Sequence, residues 1–147
     1  MTRLEREIHI DASPERVYDV LMDPESLGSW VTIQEELEEA PGGDLQKGSE
    51  LVQRVKVAGQ RFRLRWKVIQ AERPRLTIWQ GRGPFGSKAR ATYELSANGR
   101  RTTFSYANEY DLPGGPAGKL AGRAIVAASG GEADRTLKRL KKLVEKR

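Results

Sequence analysis

Few residues in this chain have side chains suited to catalysis. His9 is the only histidine, and the absence of cysteine excludes thiolate nucleophiles, thiolate zinc sites and disulfides. Alternation in "LEREIHID" directs His9 away from Ile8 and Ile10 towards solvent, and the sequence indicates no second metal ligand or carboxylate partner. A Ser-His-Asp triad would have to use this same histidine. We therefore predict no catalytic residue, no metal site and no cofactor.

The segment "GRGPFG", residues 81–86, formally matches the G-x-G-x-x-G pattern of dinucleotide-binding loops. That motif needs a helix N-terminus to receive the pyrophosphate, whereas the following "SKARATYEL" alternates as a strand. Pro84 also lacks the backbone N–H that would bind a phosphate. We interpret the segment as a loop between two strands. A functional interpretation of the same loop is that it forms a flexible lip at the entrance of a cavity.

Polar side chains fall on the apolar face of the predicted strands. Gln53 and Asn108 alternate in step with aromatic residues, and a buried amide needs hydrogen-bond partners. Either the aromatic residues are plain core and the amides meet water at frayed strand ends, or these side chains line a ligand pocket. The inward candidates are Gln53, Trp66, Ala89, Ala91, Tyr93, Phe104, Tyr106 and Asn108, with Trp30 and Trp79 at the pocket edge.

A row of cations occupies the opposite face of the same strands. It comprises Arg61, Arg63, Arg65 and Lys67, and Arg54, Lys56, Lys88 and Arg90 extend it. One interpretation is a solvated face, and the other is an electrostatic footprint for RNA, a ribosome or an anionic membrane. The row lacks interleaved aromatic residues, which argues against a platform for stacking single-stranded bases. Binding to a nucleic acid or a ribosome is thus an alternative that no specific sequence feature supports.

The length of 147 residues is that of one ordinary domain, and we expect a single domain over residues 1–147. Its 26 lysines and arginines exceed its 20 aspartates and glutamates, so the net charge of +6 favours anionic partners without specifying one. "MTRLEREIHID" lacks the apolar core of a signal peptide, and no run approaches the ~20 apolar residues of a membrane span. We expect a soluble cytoplasmic protein of unspecified oligomeric state.

The N-terminal part predicts one strand followed at once by two short helices. The residues of "LEREIHID" alternate as a half-buried strand. Ser13 is the expected N-cap of a helix that begins at Pro14. Asp23 and Pro24 repeat the same signal for a second helix that ends near Gly28. Two short helices, joined at an angle, are therefore expected before the main sheet.

From Val31 onwards the pattern is that of strands. "LVQRVKV" and "RFRLRWKVI" each place apolar side chains mainly on one face, which is typical of an antiparallel sheet with one solvated face. Asn98-Gly99 predicts a type I′ hairpin turn between "ARATYELS" and "RTTFSYANEY". Ala58-Gly59 and Arg73-Pro74 predict further turns. With the first strand, we expect six or seven strands in all.

The C-terminal segment predicts one long helix from Pro116 to about Glu145, roughly 45 Å in length. Its buried face should carry Val126, Gly130, Ala133, Leu137, Leu140 and Val144. The large residues near the C-terminus can close a core against the sheet, whereas the small residues of "AASGGEA" cannot fill the same space. Gly130-Gly131 either borders a cavity or kinks the helix.

A strand, two short helices, a long antiparallel sheet and a C-terminal helix together resemble the helix-grip fold of the START or SRPBCC superfamily. The matching segments are Ile8 to Trp30, Gly48 in "KGSEL", Arg73 to Gln80 and Thr136 to Glu145. The resemblance extends over the whole chain and implies an α+β fold whose curved sheet wraps around the helix. It also implies a deep cavity between the two, which takes an apolar or amphipathic ligand and is bordered by Ala127, Gly130 and Gly131.

Three functions are compatible with this resemblance. The first is binding or transport of a small hydrophobic or amphipathic ligand, such as a lipid, a polyketide or an isoprenoid. The second is a polyketide cyclase or dehydrase, in which a Tyr or Arg assists proton transfer; no acid/base pair in the sequence favours it, and whether the protein is an enzyme stays open. The third is an interaction role like that of the ribosome- or quinone-associated branch, through the basic row.

Overall fold

A seven-stranded antiparallel sheet and one long helix form most of the structure, a computed structural model that describes residues 2–57 and 59–146. The side chains of residues 2, 125, 126, 128 and 129 are outside this description, so the predicted burial of Val126 and the predicted turn at Ala58 lie outside the described residues. The strands are β1 (Thr2–Ile10), β2 (Gln34–Glu39), β3 (Glu50–Val57), β4 (Gln60–Glu72), β5 (Leu76–Arg82), β6 (Lys88–Asn98) and β7 (Arg101–Asp111). The helices are α1 (Pro14–Leu21), α2 (Leu27–Trp30) and α3 (Pro116–Glu145).

The strand order explains why two helices follow the first strand. The sheet runs β1-β7-β6-β5-β4-β3-β2, so β1 and β2 lie at opposite edges although they are successive in the chain. Residues 11–33 must therefore cross from one edge to the other, and α1 and α2 lie in this crossing. The predicted α+β class, the helix-grip architecture and the number of strands are confirmed.

Capping residues begin both short helical segments as predicted. The Ser13 hydroxyl accepts a hydrogen bond from the Arg16 backbone N–H at 3.3 Å, at the start of α1. The Asp23 carboxylate accepts one from the Glu25 backbone N–H at 3.0 Å. The segment after Asp23 is a 3₁₀ turn, Pro24–Ser26, that continues into α2, so it ends two residues beyond the predicted Gly28.

The hairpin between β6 and β7 differs from the prediction by one residue. Asn98 pairs with Arg101, which leaves Gly99 and Arg100 as the two-residue loop. Gly99 has a φ of 64°, whereas Arg100 does not have a positive φ. A positive φ at the first loop residue alone is typical of a type II′ turn, so the predicted type I′ turn at Asn98-Gly99 is wrong in register and type.

The helix α3 has the predicted bounds and closes the core at its C-terminal end. Ala133, Leu137, Leu140 and Val144 are all buried against the rest of the protein, with at most 5% exposure. The helix continues without interruption through residues 130 and 131. No helix in the described part of the chain has the length and apolarity needed to cross a membrane.

Gly130 provides room for an arginine between the helix and the sheet. A Cβ at this position would lie 3.1 Å from the guanidinium of Arg6, on β1. Arg6 in turn donates from Nε to the Asp134 carboxylate, one turn further along α3, at 3.0 Å. A Cβ at position 130 would therefore require the Arg6 guanidinium to move by a few tenths of an ångström.

Candidate functional site

A cavity of about 410 Å³ lies between the sheet and the N-terminal two thirds of α3. Its sheet side is formed by inward residues of β3 to β7, and its other sides by α2, α3 and the loop between β5 and β6. Aromatic and aliphatic side chains make up most of this lining. The volume is within the range of roughly 300–1,000 Å³ that is usual for small-molecule sites.

Five of the nine predicted site residues come together in this cavity, and four do not. Gln53, Trp66, Tyr93, Tyr106 and Asn108 all line it.

Phe104 has the predicted inward orientation but is completely buried in the core below the cavity, stacked on Tyr93 with ring centroids 5.7 Å apart. Ala127 and Gly131 are exposed on α3, and Gly130 faces Arg6, so these three also lie outside the cavity lining.

Other small residues of α3 take the place expected of Ala127, Gly130 and Gly131. Ala117, Gly118 and Ala121 line the cavity in the first two turns of the helix, and Ala133 lines it further along. The first three belong to "PAGKLAG", in which four of the seven residues are alanine or glycine. This run of small residues was the signal that could have identified them.

A hydrogen-bond chain fixes one aromatic wall of the cavity. The Trp66 indole N–H donates to Gln53 Oε1 at 3.0 Å, and Gln53 Nε2 donates to Gln34 Oε1 at 2.7 Å. Gln53 is therefore buried and hydrogen-bonded rather than solvated at a frayed strand end. The held Trp66 ring lies directly over Gly81 of β5, where a Cβ would be 2.8 Å from the ring.

The three tryptophans of the chain all line the cavity. Trp79 stands edge-on to Trp66 with ring centroids 6.3 Å apart and edge-on to Tyr93 at 5.7 Å. Trp30 of α2 meets Tyr93 in the same manner at 6.4 Å. Such edge-to-face contacts add to the burial of the rings and give the cavity rigid apolar walls. Tryptophan fluorescence will consequently respond to whatever fills the cavity.

A polar patch interrupts the apolar lining on β6 and β7. It consists of Tyr93, Tyr106, Asn108 and Tyr110, which we call the tyrosine–asparagine patch. Tyr106, Asn108 and Tyr110 follow each other at period two on β7, and Tyr93 is the cross-strand partner of Tyr106. Ala91 and Ala89 of β6 stand opposite Asn108 and Tyr110, so small side chains leave space in front of the patch.

The phenols of this patch keep their protons. Burial raises the pKa of Tyr93, and it raises the pKa of Tyr106 well above 10.0. Burial also raises the pKa of Tyr110. At neutral pH these groups can donate and accept hydrogen bonds but cannot serve as bases. The patch is therefore suited to orienting a ligand.

The predicted loop between β5 and β6 lies at the cavity. Residues 83–87 connect the two strands, with a 3₁₀ turn at Pro84–Gly86, and no helix follows that could receive a pyrophosphate. Gly83, Pro84, Phe85 and Ser87 contribute to the cavity lining, while the Phe85 side chain is 91% exposed.

His9 lies outside the cavity lining. Its ring is exposed, as predicted, and Nδ1 is 3.1 Å from the Thr103 hydroxyl on the outer face of the sheet.

Four of the eight cations in the basic row on the outer face are paired with glutamates of the acidic edge strand. The residues of "EELEE" in β2 reach across β3 and form ion pairs with the arginines of β3 and β4. The pairs are Arg54–Glu36 at 2.8 Å, Arg61–Glu35 at 2.8 Å, Arg63–Glu38 at 2.8 Å and Arg65–Glu39 at 3.6 Å. This arrangement favours the solvated-face interpretation, because a polyanion would have to compete with these glutamates.

Arg63→Gln is expected to lower stability slightly at pH 7 and to have no effect at pH 3. Arg63 donates two hydrogen bonds to Glu38 and holds the pKa of that carboxyl below its ordinary value of 4.5. A lowered carboxyl pKa contributes stability above the unfolded value, and the contribution disappears as the pH falls through the folded value. The measurement is the urea midpoint of both proteins at the two pH values.

Arg82→Gln is the matched control, since Arg82 is on the same face but forms no ion pair with the described residues. This variant should not lose stability at pH 7. An Arg63→Gln deficit that is equal at pH 7 and pH 3 would show that the charge of Glu38 is not responsible.

Comparison with known proteins gives one family and a consistent fold. The family described as "Polyketide cyclase / dehydrase and lipid transport" matches residues 1–145. An uncharacterized protein from Mycobacterium tuberculosis strain H37Rv is 25% identical over 97% of this chain and 99% of its own length.

Among solved structures, a conserved protein from Geobacillus kaustophilus superposes with a TM-score of 0.77 at 16% identity, over 99% of this chain and 96% of that one. A START superfamily protein from Mycobacterium smegmatis does so with a TM-score of 0.75 at 17% identity, over 98% and 97% of the two chains. These likenesses confirm the predicted START-like fold.

Proposed function

The chain belongs to the polyketide cyclase/dehydrase and lipid transport family, and from this premise we propose that it binds and carries a small hydrophobic or amphipathic molecule in the cavity beneath α3. A lipid, a polyketide or an isoprenoid is the class of ligand meant. The ligand would lie between the tryptophan walls and the tyrosine–asparagine patch.

The observation that carries this proposal is a partly enclosed apolar space that larger side chains could have filled. The lower part of the core is closed by large side chains such as Leu137, Leu140 and Phe104, each at most 3% exposed. Above them, the side chains that face the cavity from β6 and α3 include Ala89, Ala91, Ala121 and Ala133. Close packing is the rule in protein interiors, so an unfilled apolar space of this size supports a role in binding.

Proton-transfer chemistry has weaker support. The phenols in the cavity retain their protons, and the only charged side chains among the described lining residues are Lys88 and Glu132. Glu132 is hydrogen-bonded to Arg135. This composition supports carriage in preference to a cyclase or dehydrase reaction.

Ala121→Trp is expected to reduce ligand binding at least tenfold without unfolding the protein. Ala121 is exposed and lines the cavity from α3, so an indole there would occupy space that the ligand needs. The ligand is first found by native mass spectrometry of the protein incubated with a lipid extract of its source organism. Its affinity is then measured from the change in tryptophan fluorescence and from thermal shift.

Ala124→Trp is the matched control, because Ala124 is exposed on the same helix and does not line the cavity. It should bind as the wild type does. Equal binding by the wild type and Ala121→Trp would place the ligand elsewhere, and the absence of any bound molecule from extracts would overturn the proposed function.

A further inference from the structure

The tyrosine–asparagine patch contains polar groups that the protein itself leaves without partners. Asn108 Nδ2 donates to the Tyr106 hydroxyl, but Asn108 Oδ1 is buried and has no hydrogen-bond partner among the described residues. If the Asn108 amide is flipped so that Oδ1 and Nδ2 exchange places, the atom at the buried position still has no hydrogen-bond partner among the described residues. An unpartnered amide atom costs about 1–3 kcal/mol, so such an atom beside a cavity indicates a group that the ligand supplies.

The other two phenols of the patch contribute further hydroxyl groups. The Tyr93 hydroxyl makes no hydrogen bond with the described residues. The Tyr110 hydroxyl lies near the Asn108 amide, which opposes the rise that burial causes in the pKa of Tyr110. Both side chains line the cavity. The phenols are close enough to raise one another's pKa, since Tyr110 acts on Tyr93 and both act on Tyr106. Together they present donors and acceptors at one place on an otherwise apolar wall.

Among the described residues, no counter-ion for an anionic head group lies beside the patch. Lys88 is the only cation among the described lining residues, and it is exposed at the start of β6. Arg6 is near Tyr106, whose pKa it lowers, but its guanidinium is hydrogen-bonded to Asp134 and to the Glu5 backbone carbonyl. Arg6 also does not line the cavity. A carboxylate placed against the phenols would thus be a buried charge without a partner, which is strongly unfavourable.

We propose that the ligand is uncharged and directs a hydroxyl or carbonyl oxygen to the tyrosine–asparagine patch, so that the cavity takes neutral amphiphiles such as long-chain alcohols and ketones in preference to carboxylates. This inference rests on the proposed function. Tyr93 and Tyr110 supply hydrogen bonds to the oxygen, and the unpaired atom of Asn108 becomes satisfied once the patch rearranges around it. The tryptophan walls contact the hydrocarbon part.

The test compares four probes of equal chain length: 1-decanol, 2-decanone, decanoate and decane. Affinities are measured at pH 8 from tryptophan fluorescence and checked by native mass spectrometry. We expect 1-decanol and 2-decanone to bind at least tenfold more tightly than decanoate. The comparison with decane is made through variants rather than directly, because alkanes leave water more readily than alcohols whatever the site contains.

Asn108→Leu and Tyr110→Phe are the diagnostic variants. Each should weaken 1-decanol and 2-decanone about three- to tenfold, the effect of one lost hydrogen bond, and leave decane unchanged. Asn108→Leu is expected to fold, because removal of the unpaired Oδ1 offsets the loss of the hydrogen bond from Nδ2 to the Tyr106 hydroxyl. Tyr18→Phe is the matched control: it removes a phenol hydroxyl from α1, outside the cavity, and should change none of the affinities.

Different failures have different meanings. Decanoate binding as tightly as 1-decanol and weakened by Asn108→Leu would show that the patch accepts anions, which overturns the inference while the proposed function stands. Equal effects of Asn108→Leu on decane and 1-decanol would show that the patch does not recognise an oxygen, with the same consequence. A cavity that takes none of the four probes and nothing from extracts overturns the proposed function and the inference with it.

Discussion

Phe104→Ala is expected to lower the free energy of unfolding by about 3–5 kcal/mol, the usual cost of removing a phenyl ring from a packed core. Phe104 is completely buried and stacks on Tyr93. It is flanked on the neighbouring strands by Ile8 and Leu95, its register partners in β1 and β6. The substitution would leave a void below the ligand cavity. Urea unfolding followed by circular dichroism gives the magnitude.

Phe85→Ala is the matched control for this prediction. The same ring is removed, but Phe85 is 91% exposed in the loop between β5 and β6, so stability should change by no more than about 0.5 kcal/mol. The folded fraction of Phe104→Ala should still bind the ligand with nearly wild-type affinity, since its side chain does not line the cavity. A variant with normal stability and lost binding would instead assign Phe104 to the site, as its alternation on β7 first indicated.

Alternation along the strands could predict which face a residue occupies but not its depth on that face. Phe104, Tyr106 and Asn108 follow each other at period two on β7, and all three have the expected inward orientation. Only Tyr106 and Asn108 line the cavity between α3 and the sheet. The position of the cavity along β7 depends on which side chains of α3 pack against the sheet. The residue pattern of a single strand does not contain this tertiary packing.

The sequence also could not predict which small residues of α3 face the cavity. Composition indicated that the small residues of "AASGGEA" would border the cavity. Of these, Ala133 lines it, and the other small residues of α3 that line it are Ala117, Gly118 and Ala121, outside that segment. Composition could not distinguish them from Gly130 and Gly131, because each residue turns the helix by about 100° and the phase relative to the sheet is fixed only by the packed partner. Gly130 faces the Arg6 guanidinium instead of the cavity.

The pairing of charges on the outer face depends on the order of the strands in the sheet. The sequence contains both the acidic "EELEE" and the basic row, at separate places along the chain. Their pairing requires that β2 lies beside β3 and β3 beside β4, so that glutamates of the edge strand reach the arginines of β4 across one strand. With that order known, a basic stretch in the sequence no longer implies a basic surface.

Gly81→Ala is expected to lower the free energy of unfolding by about 1–3 kcal/mol and to weaken ligand binding severalfold. The added Cβ would lie 2.8 Å from the Trp66 ring, which is held on its other side by the hydrogen bond to Gln53. We expect the displaced ring to move towards the cavity that it lines, where it occupies ligand space and gives up that hydrogen bond. Urea unfolding and the fluorescence of the ligand complex measure the two effects.

Gly42→Ala is the matched control, since Gly42 has an ordinary φ and nothing lies within 4 Å of its added Cβ. It should retain both stability and affinity. Normal stability together with normal binding in Gly81→Ala would mean that Trp66 can shift without loss, and the rigid wall inferred for this side of the cavity would then be wrong. The first glycine of "GRGPFG" thus has a role that its dinucleotide-like spacing did not indicate: it admits an indole to the surface of the sheet and thereby shapes the space in which a ligand can lie.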